Sequence, residues 1–269
     1  MKNNEKIVDY NFEGQRLLFE NSKRYDYDRF TIFYLNDFDD DYLNLAINLK
    51  AESIDDFESG FYKIKQFMNN QNRNASVLIY DKNLIKKINY KKMGLEISDD
   101  SVWLMIDNLN EFPIYKSEIN IHIKKINKDE EKEYPYLVGE GFKKHSKLDP
   151  YDGLSESVIT AIKRSCFINN QFITEHYVAE NNEKKIGTAT IMYNKEIAFI
   201  YNITTNLNYR KNGVCKELMS YVINRINELN IDMAVLQTEK GFYPEQIYKN
   251  MGFKEIFRAV KYTEIKKFE

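Results

Sequence analysis

The stretch Arg210-Lys-Asn-Gly-Val-Cys215 restricts the fold of this chain more than any other. It stands between a β-rich segment and an amphipathic run over 214–229, whose Leu218, Val222, Ile226 and Leu229 keep helical spacing. Strand, tight turn and helix must therefore follow one another here. The turn presents several backbone N–H groups at the start of the helix, where the helix dipole adds positive potential. Gly213 permits close backbone approach and Arg210 and Lys211 add charge, so the stretch suits an anion such as a pyrophosphate. An Arg-x-x-Gly turn by itself is commonplace, and its weight depends on its surroundings.

Those surroundings read as an α+β unit: a mostly antiparallel sheet flanked by helices. Ile119, Ile121 and Ile123 alternate as a strand should. Helical stretches at about 129–143 and 154–169 follow, separated by the turn Asp149-Pro-Tyr-Asp-Gly153. Strands at 174–180 and 186–193 are joined by Asn181-Asn-Glu-Lys184, which is hairpin-turn chemistry, and a third strand covers 197–205. After the long helix the pattern gives a strand at 233–237, a short helix at about 244–250 and a strand at 260–265.

The first half is less regular. Up to about residue 51 it mixes aromatics with acidic turns such as 36–41, and only 42–49 suggests a helical turn or two. Ser53 then caps a helix: Asp55 and Asp56 suit its positive end, and Phe57, Phe61, Ile64 and Phe67 or Met68 form one apolar stripe ending near Asn69-Asn70. A strand at 75–80, a short helix at about 84–93 stopped by Gly94, and a strand at 102–106 complete a smaller α/β region. Pro113 and its neighbours break both periodicities, so a linker is expected at about 108–118, dividing an N-terminal domain (1–117) from a C-terminal one (118–269).

Composition narrows the class of function. Lys+Arg 39 against Asp+Glu 41 gives a net charge of -2, which argues against nucleic acid or an anionic membrane as partner. The N-terminus lacks the apolar core of a signal peptide and no apolar run is long enough to span a bilayer, so a cytoplasmic location is expected. Two cysteines and three scattered histidines offer no metal site.

Taken together, Tyr177-Val-Ala-Glu180, Ile186-Gly187, Asn208-Tyr-Arg-Lys-Asn-Gly-Val-Cys215 and Ile247-Tyr-Lys-Asn-Met-Gly-Phe253 occur in the order found in GNAT acetyltransferases, which the second half resembles over roughly 118–265. The resemblance implies that acetyl-CoA is bound and coenzyme A released. It assigns the pantetheine arm to the backbone of Ile203, Thr204 and Thr205, and the pyrophosphate to Arg210, Lys211, Asn212, Gly213, Val214, Cys215 and Lys216. Four positions depart from the family pattern: Cys215 stands where Gly or Ala is usual, Leu207 where Pro is frequent, and Gly241 and Pro244 where Asn and Ala are frequent. Cys215 is read as a small-residue substitution and not as a nucleophile.

Direct acetyl transfer needs a neutral amine, donors for the developing oxyanion and an acid for the departing thiolate. The resemblance gives the acid to Tyr248 and points to a backbone amide near Ile203 as oxyanion donor. No general base stands out, because Phe199-Ile-Tyr-Asn-Ile203 contains no acid; Glu239, Glu175, His176 and Tyr201 are candidates by inferred position. The helices before the hairpin are expected to wall the acceptor pocket, with His145, Asp149, Tyr151 and Asp152 near a small-molecule or peptide amine. The alternative function is a non-catalytic acyl-CoA-binding or regulatory module, and a homo-oligomer is compatible with either.

The first half carries an echo of the second. Tyr90-Lys-Lys-Met-Gly-Leu95 repeats Tyr248-Lys-Asn-Met-Gly-Phe253 at an offset of 248 − 90 = 158 residues, which suggests a degenerate GNAT-like unit. No Arg-x-x-Gly turn opening an amphipathic helix precedes it, so one acetyl-CoA per chain is expected.

Overall fold

The computed structural model describes residues 2–127, 129–147, 149–167 and 171–265. In chain order the elements of the first part are α1 (Lys2–Arg16), β1 (Lys23–Asp26), β2 (Thr31–Tyr34), β3 (Leu45–Ile47), α2 (Ile54–Asn70), β4 (Ser76–Ile79), α3 (Lys82–Lys87) and β5 (Leu95–Ile106). There follow β6 (His122–Lys125), α4 (Tyr134–Gly141), α5 (Glu156–Ser165), β7 (Ile173–Asn181), β8 (Lys184–Tyr193), β9 (Ala198–Thr205), α6 (Val214–Glu228), β10 (Ala234–Glu239), α7 (Tyr243–Asn250) and β11 (Lys254–Glu264). These gather into two compact units, one of Met1–Val102 with Ile256–Glu269 and one of Trp103–Glu255.

That division differs from a cut at 117/118 at both ends. The expected linker is tied to α6: the backbone N–H of Tyr115 donates to Ser220 Oγ (2.8 Å), Ser220 Oγ donates to the Pro113 carbonyl (3.0 Å), and the N–H of Ser117 donates to the Glu217 carboxylate (2.9 Å). Most of β11 falls instead in the first unit, where it runs antiparallel to β4 through Val260↔Ile79 and Tyr262↔Val77.

In the first unit the strand order is β1-β2-β3-β4-β11-β5. β3 and β4 are parallel at Ala46↔Val77, and the other recorded pairs are antiparallel. Phe57, Phe61, Ile64 and Met68 of α2 pack in one cluster with Val77, Ile79, Val260 and Tyr262 of the sheet, each large apolar side chain contributing about 2 kcal/mol by leaving water. Alternate residues are polar. Thr263 Oγ1 bonds to Ser76 Oγ (2.8 Å) and Ser98 Oγ (2.7 Å) and donates to Asp41 (2.8 Å). A slip of one residue would bury Lys261 in the apolar cluster, so this alternation fixes the register of β11.

Three local expectations change here. α1 forms over fifteen residues whose buried stripe, Ile7, Val8, Asn11, Phe12 and Gln15, contains two polar side chains that blur the apolar period. Residues 45–47 are a strand, not a helical turn. Asn44 donates to the Phe38 (2.8 Å) and Asp40 (3.0 Å) carbonyls and accepts from the N–H of Leu35 (2.8 Å), so the acidic turn wraps around it and delivers β3 between β2 and β4. α3 starts early and ends early, because Asp81 accepts from the N–H groups of Asn83 and Leu84 at 2.8 Å each and Ile88 is already extended.

In the second unit the order is β10-β9-β8-β7-β6. β6 to β9 are antiparallel and β10 is parallel to β9. The β7–β8 turn has Asn182 at φ 47 and Glu183 at φ 64, the left-handed pair that a two-residue hairpin loop requires. α4 and α5 are shorter than read from the sequence, and the stretch expected to extend to residue 169 ends outside the described residues. Val214, Leu218, Met219, Val222, Ile223 and Ile226 are the buried face of α6. Among the described residues no helix is long and apolar enough to cross a membrane.

Candidate active site

β9 and β10 pair through Ala198↔Ala234, Phe199↔Val235 and Ile200↔Leu236, and among the described residues the pairing extends no further. Beyond it β9 continues against β8, with Tyr201↔Thr190, Thr204↔Thr188 and Thr205↔Gly187. Asn202 and Ile203 thus oppose the single residue Ala189, a bulge in which Asn202 takes φ 54. The strands part where Ile203, Thr204 and Thr205 lie, leaving one side of this backbone without a strand partner. The Oγ1 of Thr205 is buried and has no partner among the described residues.

A short 3-10 turn, Leu207–Tyr209, leads from β9 to the loop. Lys211 (φ 68) and Gly213 (φ 79) are both left-handed, and Gly213 is the N-cap of α6. Among the described residues no side chain caps that terminus, so its amides face outward with the helix dipole behind them. A Cβ on Gly213 would stand 3.1 Å from Ser117 Cα and 3.3 Å from the Lys116 carbonyl, so glycine is required by conformation and by space. Val214 is buried, and Asn212 turns inward, its Nδ2 donating to the Tyr209 (3.3 Å) and Arg210 (3.4 Å) carbonyls. Lys211 and Lys216 are exposed, with Lys216 Nζ 5.4 Å above the Tyr115 ring.

Arg210 is placed differently from its loop neighbours. Its guanidinium donates to Asp149 Oδ1 at 2.6 Å and to the Thr205 carbonyl at 3.3 Å. Asp149 is buried, and its other oxygen accepts from the N–H groups of His145 (3.0 Å) and Ser146 (2.9 Å). Burial would raise its pKa, but these hydrogen bonds, led by Arg210, hold it at about 2. Asp149 therefore offers no uncompensated negative charge to a cationic amine, and Arg210 ties the loop before α5 to the loop before α6.

Tyr248, on α7, is buried beside Phe253, ring centroids 6.1 Å apart. Burial lifts its phenol well above the ordinary tyrosine value, with Cys215, Tyr151 and Tyr243 adding to the effect, so it stays protonated at neutral pH and close to the first turn of α6. The Cys215 thiol is pushed up to about 12 by burial, which outweighs the pull of Lys216 and the helix terminus and keeps it from acting as a nucleophile. Tyr151 stacks edge-on against Phe142 (5.4 Å), and Tyr243 donates to Asp149 (3.4 Å).

Residues 173–255 match the family model described as acetyltransferase (GNAT) domain. Over that stretch the chain resembles a GNAT domain. A GCN5-related N-acetyltransferase from Kribbella flavida has the same fold at TM-score 0.69 and 12% identity, over 98% of this chain and 96% of that one. A conserved protein of unknown function from Staphylococcus epidermidis gives TM-score 0.67 at 15% identity, over 91% and 95% of the two chains. A tandem GNAT protein from the clavulanic acid biosynthesis pathway gives 0.56 at 12% identity, over 87% and 77%. No curated protein matches the chain. At these identities the structural likenesses establish the fold alone.

Two of the four base candidates are committed elsewhere. Glu175 is buried and bonded to Arg225 by two contacts of 3.0 Å, to Lys125 (3.1 Å) and to the Tyr177 hydroxyl. Burial opposes ionisation, yet these partners hold its pKa at about 2, so it is an ion-pair centre and not a base. His176 is buried with its Nδ1 3.0 Å from Thr190 Oγ1 and its Nε2 3.2 Å from Ser165 Oγ, and burial lowers its pKa to about 4. The sequence reading missed Thr188, Thr190 and Asn202, whose only signal was an asparagine late in a strand, a residue that tolerates the left-handed region.

Proposed function

We propose that this protein is an acetyl-CoA-dependent N-acetyltransferase, in which a primary amine of a small molecule or peptide attacks the thioester directly within a ternary complex. The observation that carries the reading is an uncapped, glycine-started N-terminus of α6 beside a buried, protonated Tyr248. The α6 amides with Lys211 and Lys216 suit the pyrophosphate, and Arg210 orders the loop through Asp149. The freed side of Ile203, Thr204 and Thr205, together with the orphaned Thr205 hydroxyl, suits an amide-bearing pantetheine arm. When bound, acetyl-CoA supplies the activated acyl group.

The chain's own residues then divide the work. The backbone at the β9 bulge directs N–H groups toward the acyl oxygen as charge develops there. The Tyr248 hydroxyl donates to the sulfur as the carbon–sulfur bond breaks, and the proton lost by the amine leaves through water. We place this chemistry in the unit 103–255 and read the other as a degenerate GNAT-like unit without coenzyme. The test is an amine-library screen detecting free coenzyme A, run beside calorimetric titration with acetyl-CoA. Binding and turnover with at least one amine are expected. Binding without turnover across a broad panel would replace the enzyme reading with an acyl-CoA-binding module, and no binding would remove both.

A further inference from the structure

Three polar side chains from three elements of the second unit converge on one buried atom. Thr190 Oγ1, on β8, lies 2.8 Å from the Tyr134 hydroxyl, 3.0 Å from His176 Nδ1 and 3.0 Å from Asn202 Nδ2. A threonine hydroxyl has one proton and two lone pairs, so three partners saturate it. One assignment satisfies the whole chain: Asn202 Nδ2 and Tyr134 donate to Thr190, Thr190 donates to His176 Nδ1, His176 Nε2–H donates to Ser165 Oγ (3.2 Å), and Ser165 donates to the Ile162 carbonyl (2.8 Å). The Tyr134 hydroxyl also donates to the carbonyl of Ala189, the residue opposite the bulge, at 2.8 Å, its one proton shared between the two acceptors.

A second anchor holds the other side of the bulge. Thr188 Oγ1 donates to the Asn202 carbonyl at 2.7 Å and stands 2.7 Å from Thr204 Oγ1. Gly141, at the end of α4, closes on the same point, since a Cβ there would lie 2.3 Å from Thr204 Cβ. Asn202 is thus gripped by its amide and its carbonyl from alternate threonines of one strand while its backbone takes φ 54.

Resting on the acetyltransferase reading, we infer that Thr190 is a positioning residue: through Asn202 it locks the left-handed bulge of β9, and so aims the backbone amides there at the thioester carbonyl. A buried hydroxyl with three partners on three different elements does more than fill space. Removing it frees the Asn202 amide, which among the described residues is tied to the core through Thr190.

The test separates aim from affinity by infrared spectroscopy of bound [1-13C]acetyl-CoA. In the wild-type protein the carbonyl stretch should fall below its value in solution, as hydrogen bonding to the oxygen requires. In Thr190→Val it should return toward the solution value while the acetyl-CoA dissociation constant stays within about twofold, and Thr190→Ser should restore the shift. If Thr190→Val does not fold, Asn202→Gly, which keeps the backbone conformation accessible while removing the anchor, takes its place with the same expected outcome. An unchanged carbonyl shift in the folded variant overturns the positioning role alone. Loss of binding in step with the shift assigns Thr190 to general structure. Absence of acetyl-CoA binding by the wild-type protein overturns the acetyltransferase reading, and this inference with it.

Discussion

Helices α2 and α6 both follow a strand that has a parallel partner, and both lie two elements after a hairpin-like pair, yet their N-termini differ in who satisfies the amides. At α2 the chain does so itself. Ser53 Oγ accepts from the N–H of Asp56 at 3.1 Å, and Asp56 in turn accepts from the N–H of Glu52 (3.0 Å) and pairs with Arg29 (2.7 Å). At α6 Gly213 brings no side chain, and the acid in the first turn, Glu217, is occupied by Ser117 and Lys116. The likeness extends to the strands before them: Asn48 (φ 58) and Asn202 (φ 54) each stand two residues beyond the last parallel pair, Ala46↔Val77 and Ile200↔Leu236. In the first unit, however, the Tyr80 hydroxyl bonds Asn48 Oδ1 at 2.7 Å across the place where the strands part. One framework thus leaves a helix start bare in the second unit, the place proposed for the anion, and in the first unit closes it with its own hydroxyl, carboxylate and phenol.

The sharpest way to break this comparison is to give α6 a capping side chain, here a charged one, where α2 has the Ser53 hydroxyl. Gly213→Asp should weaken acetyl-CoA binding by about a thousandfold, through charge at the pyrophosphate position and loss of close approach. Part of any change will be conformational, since φ 79 and the contact with Ser117 disfavour any side chain. Gly213→Ala, compared by calorimetry and thermal melting, measures that part, and the wild-type titration should give one coenzyme per chain. Equal affinity in Gly213→Asp and Gly213→Ala would show that charge at this terminus is immaterial.

The units should also respond differently to acid. His176 has its pKa lowered from 6.5 to about 4, so the unfolded chain binds its proton first as pH falls. Its contribution is complete above 6.5 and is lost between there and about 4, amounting to about 3 kcal/mol at roughly 1.4 kcal/mol per pH unit. Asp149 and Glu175, each held at about 2, extend the loss to lower pH with the same sign. Urea midpoints measured between pH 7 and 4 should fall less steeply in His176→Asn; parallel curves would refute the assignment.

The echoed tyrosines offer a smaller and more selective contrast. In both copies the backbone closes alike: Leu95 N–H donates to the Tyr90 carbonyl (2.9 Å) and Phe253 N–H to the Tyr248 carbonyl (3.2 Å), with Gly94 and Gly252 left-handed. Only Tyr248 lies beside an uncapped helix start. Tyr248→Phe should lower kcat by about 10- to 100-fold with little change in coenzyme affinity, and Tyr90→Phe should leave kcat within about twofold. Equal losses would remove the division of labour between the units.

The smallest effect belongs to the cap itself. Ser53→Ala should cost about 1 kcal/mol in the unfolding of the first unit and create no affinity for acetyl-CoA. A second coenzyme equivalent in that variant would mean that the cap alone had been closing a latent site.

What the sequence determined by itself is whatever near neighbours settle. The Ser53 cap, the Asn182-Glu183 hairpin, the apolar stripe of α6 and the glycine turn before it each depend on a few residues and a fixed period, and each is found where the residues put it. The glycine loop opening α6, proposed to hold the pyrophosphate, was legible as a loop for the same reason. Tertiary structure decided the remainder, because it rests on pairs far apart in the chain. Arg210 meets Asp149 across 61 residues, so a cation expected to face the ligand faces a buried carboxylate. Thr263 meets Ser76 across 187, so the last strand completes the first unit and not the second. Asn202 takes its left-handed turn because two threonines of the adjacent strand hold it there. Periodicity announces which side of a strand is buried; which strand lies against it is fixed only when the whole core closes and every buried donor must find an acceptor.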